Sequence, residues 1–172
     1  RAFRRVADAI PDLIARGEQW AHTVDLIGDI TGMTAAQSSV LAAVAENVTV
    51  SADGLGRMMN ALARSVGATP ELFRENGIAI KDVNGKMLDA YQIFQNTRGR
   101  ISEMGSSLKS AALAQKIFGR ASLEAMDILT LSTREFRRQA EEARRSGLIL
   151  TEAGLEAANE WERTQGRLQQ AI

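Results

Sequence analysis

The sequence contains no cysteine. That excludes disulfides, thiolate nucleophiles and cysteine-ligated metal sites, although an absence says nothing of the redox compartment. Only two prolines, Pro11 and Pro70, interrupt 172 residues, and aromatics make up 5 %. A chain so poor in prolines and rich in alanine favours helices that pack closely through small side chains. Acidic and basic residues are equal in number, 21 of each. A general nucleic-acid binder would need surplus Lys and Arg to neutralise phosphates. No apolar run approaches the roughly 20 residues that span a bilayer. The basic opening Arg1-Ala2-Phe3-Arg4-Arg5 is not followed by a signal-peptide apolar stretch before Pro11. The chain also lacks an initiating methionine and is expected to be a segment of a longer protein.

What is present is helical patterning cut by turn residues. Val24, Leu26, Ile27 and Ile30 form an apolar group that ends at Thr31-Gly32. Thr34-Ala35-Ala36-Gln37 reads as a capping box, and Val40, Leu41, Val44, Ala45 and Val48 follow at helical spacing. Ser51 is placed to cap the next helix, whose apolar face is Leu55, Met58, Met59, Leu62 and Val66, with Gly67 as its stop. Thr69-Pro70-Glu71 combines an N-cap, an N1 proline and an acid in the first turn. Asn76-Gly77 stops that helix early.

The pattern changes from Ile78 to Leu88. Ile78, Ile80 and Val83 alternate with smaller or charged residues, and Asn84-Gly85 suits a type I′ turn. This predicts a small β-hairpin, stable only when packed on helices. Asp89 with Gln92 opens a further helix through about Arg98, and Gly99 and Gly105-Ser106-Ser107 punctuate the middle. Helices are expected from about Leu108 to Phe118, from Ser122 to about Leu129, from the Ser132-Thr133-Arg134-Glu135 capping box to Ser146-Gly147, and from Thr151 onwards. The fold class is therefore mainly α: six to nine short amphipathic helices with one small hairpin near 78–88. The organisation is read as a helical lead-in over 1–31, a helical domain over 32–130, and a charged helix with a terminal helix over 131–172.

Few residues point to chemistry. His22 is the only histidine, and no ligand set completes it with Asp25, so it reads as a surface or packing residue. Glu124 and Asp127 share a helix face, which is the ordinary pattern of an exposed face rather than an acid–base pair. Gly54-Leu55-Gly56 does not follow a strand and lacks the Gly-Lys-Ser/Thr of a phosphate loop. The Gly28–Gly32 spacing, outside a long apolar segment, suggests at most a close helix contact. No catalytic residue, metal site, cofactor or small-molecule substrate is assigned.

Two stretches are candidates for macromolecular contact. Arg134, Arg137, Arg138, Arg144 and Arg145 share one helix with Glu135, Glu141 and Glu142. Arg137–Glu141, Arg138–Glu142 and Glu141–Arg145 are expected i, i+4 pairs, each worth a few tenths of a kcal/mol. The ordinary reading is a solvated helix; the functional one is a contact with passing DNA or an acidic protein surface. The second stretch is the terminal seam of Leu155, Ala158, Trp161, Gln165, Leu168 and Ile172. It can pack back on the chain or form a bundle with copies of itself.

The order of several phrases resembles the conserved region of bacteriophage or prophage tail tape measure proteins. A helix pair precedes Asn76 to Lys86, which carries Lys81-Asp82-Val83-Asn84-Gly85. Then comes Ala112 to Phe118-Gly119-Arg120, a short helix, a charged helix, and the step Gly147-Leu148-Ile149-Leu150-Thr151 into an Ala-rich, acidic final helix from Ala153 to Trp161. The resemblance covers about Gly32 to Ile172. It implies a structural role: a mostly helical protein in the tail-tube lumen whose length sets tail length, assembled in the host cytoplasm with tail-tube and tail-tip or baseplate proteins, and released ahead of DNA at infection. It also implies homo-oligomers and transient contact with DNA or the host envelope. Some members carry wall-cleaving or membrane-active regions. The alternatives are a helical adaptor docking through its C-terminal helix and a cell-wall hydrolase, for which no motif is found.

Overall fold

The computed structural model describes the backbone of residues 2–170 and the side chains of 15–164, 166 and 167. The protein is mainly α. Nine helices occur among the described residues: α1 (Ala2–Thr31), α2 (Ala35–Asn47), α3 (Ala52–Ala68), α4 (Pro70–Glu75), α5 (Ala90–Glu103), α6 (Leu108–Phe118), α7 (Ala121–Thr130), α8 (Thr133–Arg145) and α9 (Glu152–Gln170). One is not short, since α1 runs for 30 residues.

Side-chain caps set most of the boundaries. Thr34 and Gln37 close a reciprocal capping box on α2, and Asp89 and Gln92 close another on α5. Ser51 accepts from the Gly54 amide, and Thr151 from the Gly154 amide. Each such cap is worth about 1 kcal/mol. Two expected caps differ. Thr69 gives its hydroxyl to the Ser65 carbonyl at 3.0 Å, so Pro70 starts α4 without a side-chain cap. Ser132 caps α8, but the reciprocal half is missing because Arg138 and Gln139 occupy the Glu135 carboxylate. Gly99 does not end a helix: α5 continues through it to Glu103, and the break falls at Gly105.

The expected β-hairpin is not formed. No strand occurs among the described residues, and 78–88 holds a single antiparallel bridge between Lys81 and Met87. Local bonding explains the difference. The Asp82 carboxylate accepts from the Asn84 and Lys86 amides at 2.8 and 2.9 Å, making a side-chain turn that competes with a strand ladder. Gly85 has positive φ but Asn84 does not, so the type I′ geometry is absent. Helix α5 satisfies the incoming backbone instead: Asn96 donates to the Ala79 carbonyl and Arg100 to that of Asn76. Ile78 and Ile80 are buried, whereas Val83 is fully exposed and Met87 half exposed. The returning arm therefore has little apolar surface to fix it against a partner strand.

The core draws on α1 through α8, with Leu41, Leu55, Phe73, Phe94, Phe118 and Leu129 among its fully buried side chains. Helix α1 lies against both α2 and α3. Close approach needs Gly56, where an added Cβ would stand 3.3 Å from Ile30 Cδ1. Gly56 thus serves helix packing. At the end of α6, Gly119 adopts φ 58°, a conformation that costs a residue with a Cβ roughly 1 kcal/mol or more. That turn sends the chain directly into α7, which packs on α6, α5 and α3.

A smaller cluster joins α9 to the α1–α2 pair. Leu155 packs with Ala21, Val24 and Ala35. The connection into α9 is pinned by polar contacts. Buried Ser39 accepts from the Leu150 amide, Trp20 donates to the Leu148 carbonyl, and Glu152 accepts from the Ala35 amide at 2.6 Å. The last contact places a carboxylate on the first turn of α2, where the helix dipole favours negative charge.

Candidate functional site

The arginine-rich helix α8 is amphipathic. Phe136, Ala140 and Ala143 face inward with Gln139, and the helix packs mainly on α2. Its outer face is laced with ion pairs. Arg138 bonds to Glu135 at 2.6 Å and Glu142 at 3.3 Å. Glu141 pairs with Arg144 at 3.7 Å and Arg145 at 3.3 Å. The expected Arg137–Glu141 pair is absent because those two arginines hold the carboxylate. Hydrogen bonds from Arg138 and Gln139 hold the Glu135 carboxyl down at about 2. The same pairing raises Arg138 above its usual value. These pairs are exposed and screened by solvent, so they add little to stability. Arg134 and Arg137 are exposed and form no ion pair among the described residues.

Behind Arg137 and Arg144 lies an open cleft of about 800 Å³ between α5 and α8. Its floor is Arg98, which the sequence marks only as the expected end of a helix. Only 2 % of Arg98 is exposed. Its Nη1 donates to the Leu131 carbonyl at 2.6 Å, and its Nε and Nη2 donate to Gln95 Oε1. The guanidinium lies 4.4 Å from the centre of the Phe136 ring, a cation–π contact. These partners are dipoles and a π face, and no carboxylate pairs with Arg98 among the described residues. Burial accordingly lowers its pKa to about 10, with Tyr91 opposing, and it stays charged at neutral pH. Burial also pushes the Tyr91 phenol up, opposed by Arg144, Gln95 and Arg98. One signal in the sequence pointed to Arg98. It follows Phe94 by four residues and precedes Ile101 by three, which puts it on the buried stripe of α5.

The terminal seam divides. Leu155 is buried and Ala158 partly so, both against the smaller cluster. Asn159 reaches Asp25 at 3.3 Å. One helical turn further, Trp161 is 51 % exposed. The side chain of Leu168 and the whole of Ile172 lie outside the described residues. His22 is exposed. Glu124 forms an exposed ion pair with Arg57, linking α7 to α3. No group of three His, Asp or Glu side chains is placed to hold a metal ion among the described residues, and no described helix is long and apolar enough to cross a membrane.

Comparison with known families bears on the helical region. A family model, phage-related minor tail protein, matches residues 6–119, more than half of the chain. The chain belongs to the phage-related minor tail protein family. The matched region of this tail-family chain takes in nearly all of α1 and runs through α6 to its terminal glycine, Gly119. It contains Gln95 and Arg98, whereas Leu131, Phe136, Arg137 and Arg144 lie beyond it. The cleft is thus shared between the tail-family region and the helices that follow. No curated protein matches the chain, and no solved structure does.

Proposed function

We propose that this phage tail protein is a segment of a tail tape measure protein, with a structural and non-enzymatic role in the virion. The observation that supports the tape measure reading is the order of its phrases, from Lys81-Asp82-Val83-Asn84-Gly85 through Phe118-Gly119-Arg120 to Gly147-Leu148-Ile149-Leu150-Thr151, within a chain of the minor tail family. In this reading the parent chain sets tail length, fills the tube lumen, meets tail-tube and tail-tip or baseplate proteins, and leaves ahead of the DNA. The exposed end of α9 around Trp161 is where copies of the chain would associate.

The fold suggests which part of the ruler this segment is. As one continuous helix, 172 residues would extend about 260 Å, at about 1.5 Å per residue. Instead the helices are joined by turns around a shared core. Such a segment adds little length and suits a folded element attached to extended helical regions. In-frame deletions in the parent gene test this, with tail length read by electron microscopy. Deletions in extended helical regions should shorten tails by about 1.5 Å per residue removed. Deletion of this segment, if virions still form, should shorten them far less. Unchanged tail length across deletions in the extended regions would overturn the tape measure reading.

A further inference from the structure

The cleft between α5 and α8 has an unusual electrostatic composition. Four arginines line it, and two of them contact a carboxylate, although Arg144 shares Glu141 with Arg145. Arg100 pairs with Glu103 at 3.6 Å and Arg144 with Glu141 at 3.7 Å. Arg98 on the floor and Arg137 on the rim pair with no carboxylate among the described residues. A buried cation without a counter-ion is costly, and proteins ordinarily pair or neutralise it. Arg98 also has donors to spare. A guanidinium carries five N–H groups, and its hydrogen bonds here use one each on Nε, Nη1 and Nη2. Beside it, Gln95 Nε2 is buried and closes no well-formed hydrogen bond. Much of the remaining lining is small, with Gly77, Ala79, Gly99 and Ala140, which leaves room for an entering chain.

We propose that this cleft seats a single carboxylate from a neighbouring protein chain, held by Arg98 at the floor and Arg137 at the rim. The inference does not depend on whether the chain sets tail length. The chemistry favours an isolated carboxylate over a nucleic acid. Glu103 and Glu141 stand on the same cleft and would repel a run of phosphates, whereas one side chain can pass between them to the two unpaired cations. The chain as a whole carries no net charge to draw a polyanion. Arg is also the side chain suited to forked recognition of a carboxylate.

The test uses the nitrogen-15-labelled 172-residue chain and follows the Arg98 Nε–Hε resonance by NMR. The probes are an end-capped, alanine-rich peptide with one central glutamate, the same peptide with glutamine, and a short single-stranded DNA. The glutamate peptide should shift the Arg98 resonance saturably, and the glutamine peptide should not. Arg137→Gln leaves an exposed position altered and the fold intact, and should weaken the glutamate peptide about two- to fivefold, as expected for loss of one exposed charge. Arg98→Gln should abolish binding, measured by peptide resonances, with helicity checked by circular dichroism. Equal response to glutamine and glutamate peptides, or no response to either, overturns the proposal. A stronger, saturable effect of the DNA on the same resonance overturns it in favour of nucleic acid.

Discussion

Replacing Leu155 and Trp161 in turn by alanine should separate the two halves of helix α9. Leu155 is 9 % exposed and fills the contact with Ala21, Val24 and Ala35. Leu→Ala changes in cores cost about 2–5 kcal/mol. The neighbours of Leu155 are few and small, and the site lies at the margin of the main core, so about 2 kcal/mol is expected. For a chain of this size each kcal/mol moves Tm by about 2–4 °C, giving a fall of about 4–8 °C. Trp161 is half exposed and belongs to no buried cluster among the described residues, so Trp161→Ala should cost less than Leu155→Ala. Thermal melts by circular dichroism at two chain concentrations, with sedimentation at each, measure both effects. If copies associate through the Trp161 face, wild-type Tm rises with concentration and Trp161→Ala removes that rise. The reasoning is refuted if Leu155→Ala is silent. It is equally refuted if Trp161→Ala lowers Tm as much as Leu155→Ala at both concentrations, which would mean that both residues belong to one intrachain core.

Further predictions concern the charged and core groups. Tyr91 is the only tyrosine, so phenolate absorbance titrates it alone; its midpoint should lie above the usual value of 10, and Arg98→Met should raise it further by removing a nearby positive charge. The Glu135 carboxyl, at about 2 in the folded state against 4.5 ordinarily, contributes stability that is complete above about 4.5 and lost as pH falls through about 2. Carbon-13 carboxyl titration reads that midpoint, and Glu135→Gln should flatten this part of the stability profile between the two values. Phe73→Ala removes a fully buried ring from the core and should cost about 3–5 kcal/mol in urea denaturation. Thr34→Ala breaks the capping box on α2 and should cost about 1 kcal/mol in the same assay.

The helices were legible in the sequence wherever their ends are encoded locally. Thr34, Ser51, Asp89 and Thr151 each satisfy a backbone donor within the next turn, and Gly119 accepts a positive φ, so neighbouring residues suffice to mark these boundaries. The same locality made Asn84-Gly85 misleading. Whether that dipeptide closes a ribbon depends on a partner strand being held in place, and here the Asp82 carboxylate takes the Asn84 and Lys86 amides and Asn96 takes the Ala79 carbonyl. Gly99 misled for the converse reason, because packing of Ile101 carried α5 past it. The sequence by itself thus determined a mainly helical protein, its principal caps, and the phrases that place it among phage tail proteins. Tertiary structure alone decided the cleft. Arg98 and Phe136 are distant in sequence and come together only in the folded chain, where Arg98 lies over the Phe136 ring, and a charge's burial and lack of a counter-ion are properties of every element around it rather than of its own helix.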